Sequence, residues 1–144
     1  MITRIVILAA GKGKRMNIEM PKVLAPLREK SLIGHLLASV EKTHIDPRPI
    51  IVIGNGGDIV RKNLGENYEY MAQHEQRGTG HAVSVAREAF RGSEAVIVLY
   101  GDQPFITPET ILRLAATHEK KLPALTLMTT TVPDFESWRH PLYD

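Results

Sequence analysis

The chain has 144 residues, of which 43% are hydrophobic and 24% charged, and its 18 basic and 16 acidic side chains leave a formal net charge of +2. This is the composition of one globular domain with a real core, and it excludes a collagen, a long coiled coil and a wholly disordered chain. With no cysteine, a disulfide framework, a zinc finger and a catalytic thiol are excluded as well, and so balanced a charge gives no argument for a nucleic-acid partner.

The pattern alternates between short apolar runs and amphipathic stretches. The longest apolar run, Ile5 to Ala10, falls far short of the roughly 20 residues that span a bilayer. Gly11-Lys12-Gly13-Lys14-Arg15 follows it directly, where a signal peptide would still be apolar. A cytoplasmic protein with no membrane partner is the expectation. Val6 to Ala10 reads as a strand buried on both faces, and residues 11–21 as a polar loop. Leu32, Ile33, Leu36, Leu37 and Val40 recur at helical spacing, which predicts a helix over about 31–43 with Ser31 as its N-cap. Ile50 to Ile53 is the next buried strand. Asp58 is positioned to cap a helix over about 59–65 that Gly65 ends. Tyr68 to Ala72 is a weak third strand. Gly78 and Thr79 open a helix reaching about residue 91. Ala95 to Tyr100 is the clearest strand, and Thr107-Pro108-Glu109 starts a helix to about Lys121. The Thr-rich run from Leu125 to Val132 reads as a further strand. No repeat or low-complexity segment interrupts the order.

Apolar strands alternating with helices predict an α/β fold with a doubly wound, mainly parallel sheet. Residues 1–132 form the folded, nucleotide-binding part. Residues 133–144 carry Trp138 and no periodicity, and the abrupt end reads as a truncated unit. In such a fold, ligands bind beyond the carboxyl ends of the strands. Three segments fall there: the glycine loop after the first strand, Gln73 to Gly80 after the third, and Gly101-Asp102 after the fourth.

Each segment has a chemical reading and a plainer one. Gly11-Lys12-Gly13-Lys14-Arg15 offers close backbone approach, a row of N–H groups for phosphate oxygens, and cations. It also suits a plain basic surface loop. It is neither a P-loop, which needs Gly-x-x-x-x-Gly-Lys-Ser/Thr, nor a dinucleotide fingerprint, whose third glycine would stand at Met16. Asp102 at a strand end suits a hard divalent cation or a turn. Gln73 has a planar donor–acceptor amide suited to a nucleobase edge. Its surroundings also suit an ordinary polar loop before a helix. The six histidines form no metal pair, and each reads as a surface or satisfied group. No serine stands in a nucleophile elbow.

Read together, Leu8-Ala9-Ala10-Gly11-Lys12-Gly13-Lys14-Arg15-Met16, Pro21-Lys22-Val23-Leu24, the segment Gln73 to Val83 and Leu99 to Pro104 resemble the sugar-phosphate nucleotidyltransferases. Within them they look like the N-terminal uridylyltransferase domains of bifunctional uridylyltransferase/acetyltransferases. The likeness spans residues 3 to 132. It implies a Rossmann-like nucleotide-diphospho-sugar transferase fold. It implies transfer of UMP from UTP to a sugar-1-phosphate, expected to be N-acetylglucosamine-1-phosphate, with release of pyrophosphate. It implies that Leu8, Ala9, Ala10 and Gly11 line the nucleotide site, and that the loop through Gly13 and Arg15 holds the triphosphate. Lys22 would neutralise the phosphates, and Gln73, Gly78 and Thr79 would recognise uracil. Tyr100, Gly101 and Asp102 would meet the ribose and a Mg²⁺ ion, with Asp102 the metal ligand. Arg15, Lys22 and Asp102 are the implied catalytic set. Sugar-binding residues, an Asn completing the metal site and a trimerising β-helix belong in the family pattern to sequence beyond residue 144, so a fragment is expected, with a naturally short paralogue as the alternative. The first motif alone also fits a cytidylyl- or guanylyltransferase, and the lack of a sugar-binding half fits a non-catalytic nucleotide-sugar-binding module.

Overall fold

A computed structural model describes residues 1–11 and 20–131. Four strands build one parallel sheet: β1 (Thr3–Ala9), β4 (Ile50–Ile53), β5 (Glu69–Ala72) and β6 (Ala95–Tyr100), in the spatial order β5-β4-β1-β6. A small antiparallel pair, β2 (Pro26–Leu27) and β3 (Lys30–Ser31), stands apart. The helices are α1 (Leu32–Glu41), α2 (Gly57–Leu64), α3 (Thr79–Val85) and α4 (Pro108–Lys121). The chain winds outward from β1 through β4 to β5, then returns to place β6 on the other side of β1. That reversal makes the cleft between the carboxyl ends of β1 and β6 the switch point of the sheet.

Both faces of the sheet are covered, as continuous apolar strands require. On one face Ile5, Ile7, Ala9, Ile51, Ile53, Ile97 and Leu99 pack with Ile33, Leu36 and Val40 of α1, Val60 of α2 and Ile111 of α4. On the other, Val6, Ala10, Ile50 and Val52 meet Ala82 and Ala86, with Leu8 and Phe90 packed alongside. β4 is buried at every residue, which is why its sequence is an unbroken Ile/Val run. Among the described residues, no helix is long and apolar enough to cross a membrane.

The helix signals act where expected at two ends. The Ser31 hydroxyl accepts from Gly34 N, and the Thr107 hydroxyl accepts from Thr110 N with Pro108 in the first turn. Three expectations are corrected. Helix α2 begins at Gly57, and its N-cap is Gly56 in the left-handed region (φ 81°), so Asp58 lies inside the first turn and caps nothing. Gly65 ends that helix as expected, at φ 86°. Helix α3 stops at Val85. Beyond it Ala86, Arg87, Ala89 and Arg91 donate three residues back, a tighter winding than an α-helix that brings Ala89 and Phe90 onto the sheet.

Third, residues 125–131 form no strand. A strand needs a ladder partner as well as propensity, and a groove of about 530 Å³ separates this segment from β6. Thr126 bonds instead to His118 Nδ1 of α4 at 2.9 Å. Leu125 and Leu127 stay 69% and 72% exposed. The segment Lys22–Leu24, which follows the loop expected over residues 11–21, is a short 3-10 turn with Val23 and Leu24 buried. Val132 and residues 133–144, with Trp138 and His140, lie outside the described residues.

Candidate active site

The switch point opens into a cavity of about 260 Å³. Its floor is the carboxyl end of β1: Leu8, Ala10 and Gly11 line it. Gln73, just past β5, and Gly78 with Thr79, at the start of α3, close one side. Tyr100 and Asp102, at the end of β6, and Lys22 with Val23 close the other. Three segments separated by tens of residues therefore share one cleft, because parallel strands bring all their carboxyl ends to one edge. Lys12, Gly13, Lys14 and Arg15 lie outside the described residues.

Alternation along β1 divides its residues. Leu8 and Ala10 reach the cavity, whereas Ala9 points to the opposite core and is 3% exposed. Gly101 does not line the cavity either. Its N–H continues the ladder to Leu8 O at 2.9 Å, and a Cβ there would stand 3.0 Å from Val23 Cγ1 and 3.1 Å from Leu8 O. Gly101 keeps β1, β6 and the Lys22 turn close together, which sets where Asp102 sits.

The two sides of the cavity differ in chemistry. On the β6 side, Lys22 Nζ donates to Asp102 Oδ2 at 2.6 Å, and the two side chains are 40% and 33% exposed. On the α3 side the groups are neutral. Gln73 is buried, its backbone N–H donates to Ile53 O at 2.7 Å, and its amide nitrogen lies 2.9 Å from His81 Nδ1. Gly78 adopts φ 96° and ψ 179°, a region open essentially to glycine alone, and this turns the chain from the Gln73 loop into α3. Behind the floor, a Cβ on Gly54 would come within 2.7 Å of Ala10 O, so glycine after β4 lets the β1 loop pass.

Three lining residues were not singled out from the sequence: Val23, Gln76 and Ala82. The Gln76 side chain donates to Ala10 O and ties the α3 approach to the β1 loop. The motif containing it was visible, but nothing in the sequence separated it from its polar neighbours. His81, like the other histidines, reads from the sequence as a surface or satisfied group. It is satisfied, and its partner is the cavity-lining Gln73.

As a metal site, the described residues offer one carboxylate, Asp102. Among them no cluster of three His, Asp or Glu side chains is placed to hold an ion. One partly exposed carboxylate in a cavity large enough for phosphate oxygens fits a hard cation that takes most of its ligands from substrate and water. It does not fit an all-protein cage.

An α/β domain with its cleft at the switch point of a 3-2-1-4 parallel sheet, lined by glycines, a lysine and a lone carboxylate, is of the nucleotide-binding Rossmann-like class. The comparisons with known proteins narrow this. The chain belongs to the MobA-like NTP transferase domain family, whose model matches residues 5–143. It is 40% identical over 131 residues to the bifunctional protein GlmU of Enterococcus faecalis, taking in 90% of this chain and 28% of that protein. To GlmU of Stutzerimonas stutzeri it is 44% identical over 133 residues, again 28% of the relative. The chain thus spans under a third of the length of these curated relatives. In fold it is similar to a UDP-glucose pyrophosphorylase complexed with UDP-glucose, with a TM-score of 0.73 at 21% identity over 85% of this chain and 55% of the other. It is also similar to Rv0371c of Mycobacterium tuberculosis in complex with manganese, with a TM-score of 0.67 at 24% identity over 82% and 60%.

Proposed function

We propose that this domain binds UTP and transfers its UMP moiety to a sugar-1-phosphate, N-acetylglucosamine-1-phosphate being the acceptor favoured by the likeness to GlmU. The observation that carries the reading is the cavity itself. A buried amide on one side and a lysine–carboxylate pair on the other are spaced by the floor of Leu8, Ala10 and Gly11, an order that suits a pyrimidine, a ribose and a phosphate chain. In the reaction, an oxygen of the sugar phosphate attacks the α-phosphorus of UTP, a new P–O bond forms, and the bond to the β-phosphate breaks to release pyrophosphate. No side chain is consumed in this step.

The chain's own residues position and neutralise. Gln73, Gly78 and Thr79 would hold the base. Leu8, Ala10 and Gly11 form the floor beneath the nucleoside, with Ala9 and Gly101 shaping it from behind. Tyr100 would border the ribose. Lys22 would leave Asp102 for the phosphates, and Arg15 and Gly13 of the glycine loop would add contacts there. Asp102 would hold a divalent cation, Mg²⁺ by the likeness to the family. Such an ion, when bound, offsets charge on the triphosphate and the leaving pyrophosphate.

Calorimetric titration of the chain with UTP, CTP, GTP and dTTP, with and without Mg²⁺, tests this. UTP is expected to bind selectively and more tightly with the ion. Equal binding of all four would overturn the uridine assignment. Binding of none by a chain that melts cooperatively would overturn the nucleotide reading altogether.

A further inference from the structure

We propose that His81 is a positioning residue that sets base specificity: it holds the Gln73 amide in the one orientation that pairs with uracil and opposes cytosine. The inference rests on the uridine reading and adds to it a residue outside the cavity lining.

The Gln73 amide nitrogen stands 2.9 Å from His81 Nδ1. An amide nitrogen has only hydrogens to give, so Nδ1 must accept, and the ring is then neutral with its proton on Nε2. This is the one hydrogen bond of the Gln73 side chain among the described residues. Gln73 is 3% exposed, and among the described residues no buried side-chain polar atom lacks a partner. Gln73 lines the cavity, and among the described residues Oε1 has no hydrogen bond, so the remaining amide edge is placed for a ligand there. Both ends of this contact are fixed. Gln73 is pinned at the end of β5 by its bond to Ile53 O, and His81 stands in the first turn of α3.

An amide is nearly symmetric in shape, so sterics alone do not decide which end points where. Its hydrogen-bond partner does. With one amide hydrogen committed to His81, the other hydrogen and Oε1 form a donor–acceptor edge. Uracil has a complementary edge, since its N3–H donates and its O4 accepts. The same edge of cytosine is reversed: N3 accepts and the N4 amine donates. An amide locked by His81 meets uracil with two hydrogen bonds. It meets cytosine with acceptor against acceptor and donor against donor. A free amide turns over and accepts either base.

The test compares UTP and CTP binding by calorimetry for the native chain, His81→Phe and His81→Asp. Phenylalanine keeps the ring and removes the acceptor. Aspartate restores an acceptor that cannot donate. His81→Phe is expected to lower the UTP-over-CTP preference about 10-fold to 100-fold, the range for mismatched buried hydrogen-bonding groups, and His81→Asp to restore most of it. A merely structural role would instead weaken both nucleotides alike. ¹⁵N spectra of the native imidazole add a readout independent of any variant's folding, with Nε2 protonated and Nδ1 bare as the expected state. Unchanged preference in a cooperatively folding His81→Phe chain, or a proton on Nδ1, overturns the inference while leaving the uridine reading in place. A native chain that does not discriminate UTP from CTP overturns both.

Discussion

The sheet carries charged groups at both ends and uses them in opposite ways. At the amino end, Arg4 of β1 is held on all sides. Its Nε donates to Asp46 at 2.9 Å, and Nη2 donates to Glu69 at 3.1 Å and to the Arg48 carbonyl, while Nη1 donates to the Ala89 carbonyl at 2.7 Å. Asp46 also accepts from the N–H groups of Ile5 and Arg48, and its side chain is 2% exposed. Burial alone would lower the pKa of Arg4, but the bonds to Asp46 and Glu69 outweigh it and hold that pKa above the ordinary value. At the carboxyl end, Lys22 and Asp102 have each other, and each keeps a third or more of its side-chain surface open. The difference separates two uses of charge. Where a cation and a buried carboxylate are bonded repeatedly inside the fold, charge ties β1 to β5 and to the loop before β4. Where a pair is left half in solvent, charge is available to a ligand.

The comparison can be broken most directly at its closed end. Arg4→Met leaves Asp46 buried without its cation, a loss of about 3–5 kcal/mol. That is a large part of the stability of a domain this size, and urea unfolding should show it. At the open end, Asp102→Asn should leave the urea midpoint nearly unchanged. It should abolish the Mg²⁺-dependent part of UTP affinity, a loss of about tenfold or more if the contact is worth what charged hydrogen bonds usually are. Gly78→Ala sits between these classes. At φ 96° a side chain costs about 1–3 kcal/mol, and the strain falls where the base would bind, so both stability and UTP affinity should drop. The mildest effect separates the two sides of the cavity. Raising salt should weaken UTP binding through the half-exposed Lys22–Asp102 side, while uridine, which has no phosphates, should bind almost independently of salt.

Local signals with one physical meaning were readable in the sequence: the all-apolar Ile50–Ile53 run of a strand buried on both faces, the Ser31 and Thr107 caps, the turn at Gly65. The three site segments were legible because a parallel sheet delivers its loops to one edge, and Asp102 and Lys22 therefore meet across many residues. Arg4 and Asp46 were not legible. An arginine in a strand and an aspartate between prolines and a helix look like solvated charges until the fold sets them 2.9 Å apart. The strand expected over 125–132 failed for a related reason. Thr-rich β-propensity is local, but a ladder partner is not, and a groove stands where that partner would be. His81 escaped because a satisfied histidine has no sequence signature that says what satisfies it.

The most direct test of the two uses of charge is urea unfolding of the Lys22→Met/Asp102→Asn double variant without ligand, beside Arg4→Met. The account predicts a double variant with a midpoint within experimental error of the native chain and an Arg4→Met chain far below it. A double variant as unstable as Arg4→Met would contradict the account, because the open pair would then belong to the fold and not to the ligand.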